Sequence, residues 1–257
     1  MAIDYDHSRN LHSLEGPKRA LPALINKIGP SSILDVGCGT GTWIRAAMDT
    51  GVTDVAGVDG VAQTEESLVC PIHCFRQQDL TLPWNLGRKF DLALCLEVAE
   101  HIDAQYADVF LDNLVAHADT IFFSAACPNQ IGQHHVNCQW PAYWQRMFNI
   151  RGYTCDDWPR WAIWDDRQIE PWYRQNIFMA TKSIGPNAQE PQIHSVIHPD
   201  MLSLVRLHAA CSPSFVIEDL EAGSQPVSWY FSTLATALWA KLCRLISKIP
   251  QRFDTSA

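Results

Sequence analysis

Three glycines stand at alternate positions in Ile33-Leu34-Asp35-Val36-Gly37-Cys38-Gly39-Thr40-Gly41, directly after a short apolar run that ends on Asp35. Glycine has no Cβ, so such a turn lets backbone amides close on a ligand that side chains would hold away. The spacing is GxGxG, with threonine at position 42. A dinucleotide-binding turn reads GxGxxG instead and needs its third glycine for close helix packing. Two more acids close apolar runs: Asp59 before Gly60, and Asp79 before Leu80. A fourth run leads into Glu97-Val98-Ala99-Glu100-His101, where helical spacing puts Glu97, Glu100 and His101 on one face. Carboxylates beside imidazoles can move protons or hold a hard divalent ion. Just beyond a fifth run, Gly132-Gln133-His134-His135-Val136-Asn137 supplies His135, the candidate general base. A neutral imidazole near pH 7 can take a proton from a hydroxyl, although a loop histidine can equally serve to bond backbone.

These residues need a scaffold that brings strand ends together. Apolar runs at 32–36, 53–58, 73–78, 90–96 and 120–126 read as buried strands, and helical spacing over 16–28, 42–48 and 102–117 separates them. Strands that alternate with helices imply a parallel, doubly wound sheet, with ligands at the carboxyl ends of its strands. Residues 176–182 read as a last strand. Between residues 130 and 174 stand Trp140, Trp144, Trp158, Trp161, Trp164 and Trp172, six of the chain's ten tryptophans. This aromatic-rich insertion is either a substrate cover or simply core.

The glycine segment resembles the first motif of class I S-adenosylmethionine-dependent methyltransferases. The resemblance runs over residues 30–130 and implies an α/β fold with a doubly wound, mostly parallel seven-stranded sheet. It implies cofactor contacts from Asp35, Gly37, Cys38, Gly39, Gly41, Asp59, Gly60, Asp79, Leu80 and Glu97, with Asp59 on the ribose hydroxyls and Asp79 on the adenine amino group. The ExxEH string resembles that of ubiquinone-type O-methyltransferases and of small-RNA ribose methyltransferases. In the RNA enzymes those residues and a later histidine hold a metal; here no metal is assigned, and Glu100, His101 and His135 are the candidate catalytic residues. The stretch from His135 through Trp144, with Trp172-Tyr173-Arg174-Gln175-Asn176, is similar to bacterial methyltransferases from glycan and natural-product gene neighbourhoods. The expected reaction is O-methylation of a sugar, glycan or small-molecule hydroxyl. Two alternatives are a metal-dependent RNA ribose methyltransferase and a non-catalytic module that only binds cofactor.

Composition narrows the partners. The 257 residues are 47% hydrophobic and 18% charged, enough for a large core in one main domain. A net charge of −9 disfavours nucleic acid, which is bound chiefly through Lys and Arg. Nine cysteines behind an N-terminus without a secretory pattern read as reduced thiols of a cytoplasmic protein, and Cys70, His73 and Cys74 as buried side chains rather than zinc ligands. Residues 1–184 are read as the methyltransferase domain, 185–225 as a linker and variable region with three prolines in 185–199, and 226–257 as a helical C-terminal appendage. That appendage carries Leu234, Leu238, Leu242, Leu245 and Ile249 on one face and Lys241, Arg244 and Lys248 on another. It suits packing on the domain, a homodimer contact, or peripheral contact with an anionic membrane.

Overall fold

The described residues form a seven-stranded sheet in the order β3-β2-β1-β4-β5-β7-β6. The computed structural model describes residues 5–7, 13–183, 190–202 and 234. Residues up to Leu202 form one compact unit. The appendage expected at 226–257, and most of the linker expected at 185–225, lie outside the described residues.

The central strands are β1 (Ser32–Val36), β4 (Leu92–Leu96) and β5 (Thr120–Ser124), flanked by β2 (Asp54–Asp59) and β3 (Phe75–Gln77), all parallel. β1 and β4 are buried on both faces, which is why they read as unbroken apolar runs. Alternation still sorts their side chains. Leu34, Val36, Ala93, Cys95, Ile121 and Phe123 face α3 (Ala107–His117) and α4 (Pro141–Ile150), burying Phe110, Leu114, Trp144 and Phe148. Ile33, Leu92, Leu94 and Phe122 face α1 (Glu15–Ile25) and α2 (Thr42–Asp49), burying Leu21, Leu24, Trp43 and Ala47. The result is three layers, helix on sheet on helix.

Element ends differ from the sequence reading for local reasons. α1 stops at Ile25, three residues early, because Gly29 takes φ +61° and its amide closes on the Ile25 carbonyl. The run at 73–78 opens as a 3-10 turn, Ile72–Cys74, and only Phe75–Gln77 pair as strand. The aromatic stretch is largely framework: it contains α4, the edge strand β6 (Tyr153–Asp156), α5 (Trp158–Ile163) and α6 (Pro171–Asn176). Trp144 is fully buried, with its ring 5.3 Å from Phe123.

β7 (Phe178–Lys182) runs antiparallel between β5 and β6, with Phe178 opposite Phe123. Strand order reverses between β1 and β4, which opens a crevice at their carboxyl ends. Residues 190–202 pack on this unit. The Glu190 carboxylate accepts hydrogen bonds from Gln145 Nε2 (2.6 Å), Asn149 Nδ2 (2.7 Å) and the Cys155 amide (2.6 Å). Buried Arg174 donates to Asp200 Oδ2 at 2.8 Å. Among the described residues no helix is long and apolar enough to cross a membrane.

Candidate active site

The crevice is a cavity of about 610 Å³ whose wall includes Asp35, Gly37, Cys38, Gly39, Asp59, Gly60, Asp79, Leu80, Glu97, His101 and His135. Thus ten of the expected site residues meet there with His135, while Gly41 and Glu100 are not among its lining residues. Position 41 is a steric requirement: φ is +80°, and a Cβ would lie 2.4 Å from Cys70 Sγ. Gly37 is equally constrained, with φ +78° and a would-be Cβ 2.3 Å from Val98 Cγ2. The turn therefore lies flat against the exit of β4, and no side chain fits between them. Gly60 differs, since its Cβ would meet nothing nearer than 3.9 Å.

The acids are held differently. Asp35 is 2% exposed and its Oδ2 has no hydrogen-bond partner. Burial, and then the neighbouring Asp59, push its carboxyl up to about 8. Asp35 is the penultimate residue of β1 rather than its end. Asp59 ends β2 and fixes the loop, its Oδ2 accepting from the Gly39 amide and its Oδ1 from the Val61 amide, each at 2.8 Å. Asp79 lies two residues past β3, where Oδ1 accepts from the Thr81 amide (2.9 Å) and hydroxyl (2.6 Å). Burial opposes ionisation of Asp79, but these hydrogen bonds hold its carboxyl below the ordinary range.

The ExxEH string is not one helical face. Glu97 takes φ +57°, and only Ala99–His101 wind, as a 3-10 turn. The Glu97 carboxylate is met by a pair of amides. Gln130 Nε2 donates to its Oε2 at 2.7 Å, and Asn176 Nδ2 to its Oε1 at 3.1 Å. The Glu97 amide is anchored on the Ser124 carbonyl at 3.0 Å. Non-glycine residues in this conformation are costly and concentrate at functional sites.

Glu100, His101 and His135 do converge, each offering a ligand atom within 4.8 Å of the others. Glu100 is fully buried, and neither carboxylate oxygen has a hydrogen-bond partner. Burial, with the nearby Glu97, holds it well above the usual carboxylate range. Both imidazoles are shifted toward their neutral form. Burial and then His135 push His101 down to about 4, and burial lowers His135. His135 Nδ1 lies 2.8 Å from the Gln130 carbonyl, which can only accept, so Nδ1 carries the proton and Nε2 keeps its lone pair.

Three features of the wall escaped the sequence reading. Tyr5 stacks edge-on against His101 at 4.9 Å, and His7 Nε2 lies 3.6 Å from Asp59 Oδ1. Glu170 lines the cavity beside Trp172 and Tyr173. Gln130 and Asn176 bracket Glu97. No local pattern marks the first two; the amide at 176 stands in the Trp172–Asn176 string but carries no signature of its partner.

A methyltransferase-domain family model matches residues 5–157, which is 153 of the 257 residues. The chain belongs to this methyltransferase family. Its cofactor is S-adenosylmethionine, and an unpartnered buried acid beside a side-chain-free glycine cradle fits a ligand that ends in an amino acid. No curated protein sequence matches the methyltransferase. Solved structures share its fold. Streptomyces venezuelae DesVI is 12% identical with a TM-score of 0.52, covering 66% of this chain and 93% of that one. The sugar N-methyltransferase KedS8 from Streptoalloteichus sp. ATCC 53650 is 15% identical with a TM-score of 0.51, covering 67% and 89%. The methyltransferase domain of bacterial CtHen1-C is 16% identical with a TM-score of 0.50, covering 66% and 100%.

Proposed function

We propose that the methyltransferase methylates a hydroxyl of a sugar, glycan or other small molecule, with His135 as general base. The observation that carries this reading is His135 itself, a cavity-lining imidazole fixed through Nδ1 on the Gln130 carbonyl and shifted by burial toward its neutral form. The cofactor supplies an electrophilic methyl on a sulfonium. Asp35 would receive its ammonium, the turn at Gly37, Cys38, Gly39 and Gly41 its amino acid end, Asp59 and Gly60 its ribose, and Asp79 and Leu80 its adenine. Glu97, clamped by Gln130 and Asn176, lines the same cavity. His135 would take the proton of an acceptor hydroxyl seated against it, leaving that oxygen free to accept the methyl group that the bound cofactor would supply. Holding acceptor and cofactor together in one cavity would supply much of the acceleration.

The test is turnover on a panel of sugars, glycans and small phenols. His135→Ala is expected to lower kcat by about 10²–10⁴-fold while cofactor affinity stays at the parent value. Because burial lowers the His135 pKa, the acid limb of the parent's kcat/KM profile lies below the ordinary imidazole value of about 6.5. Loss of cofactor binding in His135→Ala, or an unchanged kcat, would remove His135 from this role.

A second reading rests on the convergence of Glu100, His101 and His135. Those three could hold a magnesium or manganese ion, with Glu100's unpartnered oxygens as the hard ligands. The same turnover assay in chelator separates the readings, since proton transfer to His135 survives chelation and metal-assisted transfer does not. We further propose a cytoplasmic location, and peripheral membrane or homodimer contact through residues 226–257.

A further inference from the structure

We propose that Gln130 and Gly132 are the positioning residues of His135. A one-way chain of buried amides, starting in segment 190–202, locks the Gln130 side chain; the Gln130 carbonyl and the bare Gly132 then fix the tautomer and the place of the His135 ring. The inference rests on the proposed role of His135 as general base and names what holds that ring in its working form.

The chain begins at a backbone amide, so its direction is set. The His198 amide donates to Gln175 Oε1 at 2.9 Å, which leaves Gln175 Nε2 to donate to Asn176 Oδ1 at 3.0 Å. Asn176 Nδ2 therefore faces the other way, and it donates to Gln130 Oε1 at 2.9 Å and to Glu97 Oε1 at 3.1 Å. Gln130 Nε2 closes the chain on Glu97 Oε2 at 2.7 Å. Flipping any one amide would set like groups face to face, and all three are buried, where an unmade hydrogen bond is costly. The first links, at 198, 175 and 176, lie beyond the residues 5–157 that match the family model.

The lock matters because of what Gln130 carries on its backbone. It follows Asn129, a left-handed residue at φ +70°, and its own amide closes on the Cys127 carbonyl at 3.0 Å. A turn of this kind keeps its shape only where its surroundings hold it. The carbonyl it presents lies 2.8 Å from His135 Nδ1, nearer than the Cys138 thiol at 3.7 Å. The far side of the ring lies against Gly132, where a Cβ would come 2.0 Å from Nε2 and 2.4 Å from Cε1. Gly132 is exposed and its φ is not left-handed, so the space taken by the ring, and not the backbone, requires glycine there.

The test reads the ring directly, by nitrogen NMR of full-length protein labelled at its histidines and saturated with S-adenosylhomocysteine, at a pH well above the ordinary imidazole value of about 6.5. The His135 signals are those lost in His135→Gln. The parent is expected to hold a single tautomer, with the proton on Nδ1. Gln130→Met keeps the length of the side chain and loses its hydrogen bonds; Gly132→Ala pushes the ring by about 1 Å or more. Each should populate the Nε2–H tautomer as well. Gly132→Ala, in an exposed loop, should keep the parent's melting temperature, so it decides the matter should Gln130→Met unfold. Turnover adds an independent check, with the acceptor that reacts fastest in the panel of sugars, glycans and small phenols. Gly132→Ala should lower kcat by about 10²-fold with KM within about twofold, and should have no effect in a His135→Ala background, where the added Cβ meets no ring. A parent ring protonated on Nε2, an unshifted tautomer in either folded variant, or the same loss of kcat in the His135→Ala background would overturn the assignment. Failure of the underlying reading looks different: the tautomers shift as expected, but His135→Ala turns over at the parent rate.

Discussion

At the scale of single residues, Asp35 shows stability and function opposed at one atom. Its carboxyl titrates near 8 in the folded protein and near 3.9 in an unfolded chain. A raised folded value means the native state holds the proton more tightly, so this residue's contribution to stability is greatest below about pH 4. It is lost as pH rises toward 8, where the buried carboxylate must ionise. Asp35→Asn is therefore expected to raise the melting temperature of the cofactor-free enzyme, by a margin that grows from pH 5 to pH 8. It should weaken cofactor binding at least tenfold, through loss of a charge-assisted contact worth about 1.5–3 kcal/mol. Calorimetry in buffers of different ionisation enthalpy adds a check, because cofactor binding at pH 7 should release a proton from Asp35. Unchanged stability across that pH range would show that the carboxyl is better solvated than its burial implies.

At the scale of elements, the sequence spoke clearly wherever one run of residues had one job. β1, β4 and β5 are covered on both faces, so their apolar runs stand out, and the alternating glycines mark the turn that follows. β6 hid because it is four residues at a sheet edge inside a tryptophan-rich stretch. The Glu97 turn hid for a different reason: its partners Gln130 and Asn176 are 33 and 79 residues away, and helical spacing gave a simpler but wrong geometry. Glu170 was equally out of reach, because only the folded chain brings it to the cofactor cavity. The turn itself invites a direct test. Gly37→Ala must place a Cβ 2.3 Å from Val98 Cγ2 at φ +78°, which overpacking and left-handed strain together make worth about 2–4 kcal/mol. Chemical denaturation should show that loss, and titration should show cofactor binding reduced at least tenfold. Adding Val98→Ala should recover the overpacking part of the stability and leave the backbone strain. Full recovery in the double variant would mean that φ at this position matters little.

At the scale of the whole molecule, the segment 190–202 belongs to the catalytic unit. Its Ile193 and Met201 are buried, Glu190 ties α4 to β6, and Asp200 and His198 satisfy Arg174. A chain ending after residue 202 should keep the parent's cofactor affinity. One ending after residue 183 leaves the Arg174 guanidinium buried without its acid, and should lose about 1–3 kcal/mol, discounted because Asp200 is itself partly exposed. Equal melting temperatures for the two truncations would overturn this. The reversed direction of β7 has a consequence of another kind. Because β6 ends and β7 begins at the carboxyl edge, the whole excursion from Asp157 to Ile177 both leaves and returns on the catalytic side. Residues inserted between α5 and α6 would enlarge or reshape that side of the cavity without lengthening any strand or touching the glycine turn. The excursion is thus a panel open to change in length where Glu170, Trp172 and Tyr173 line the cavity, mounted on a sheet and glycine turn that need not change with it.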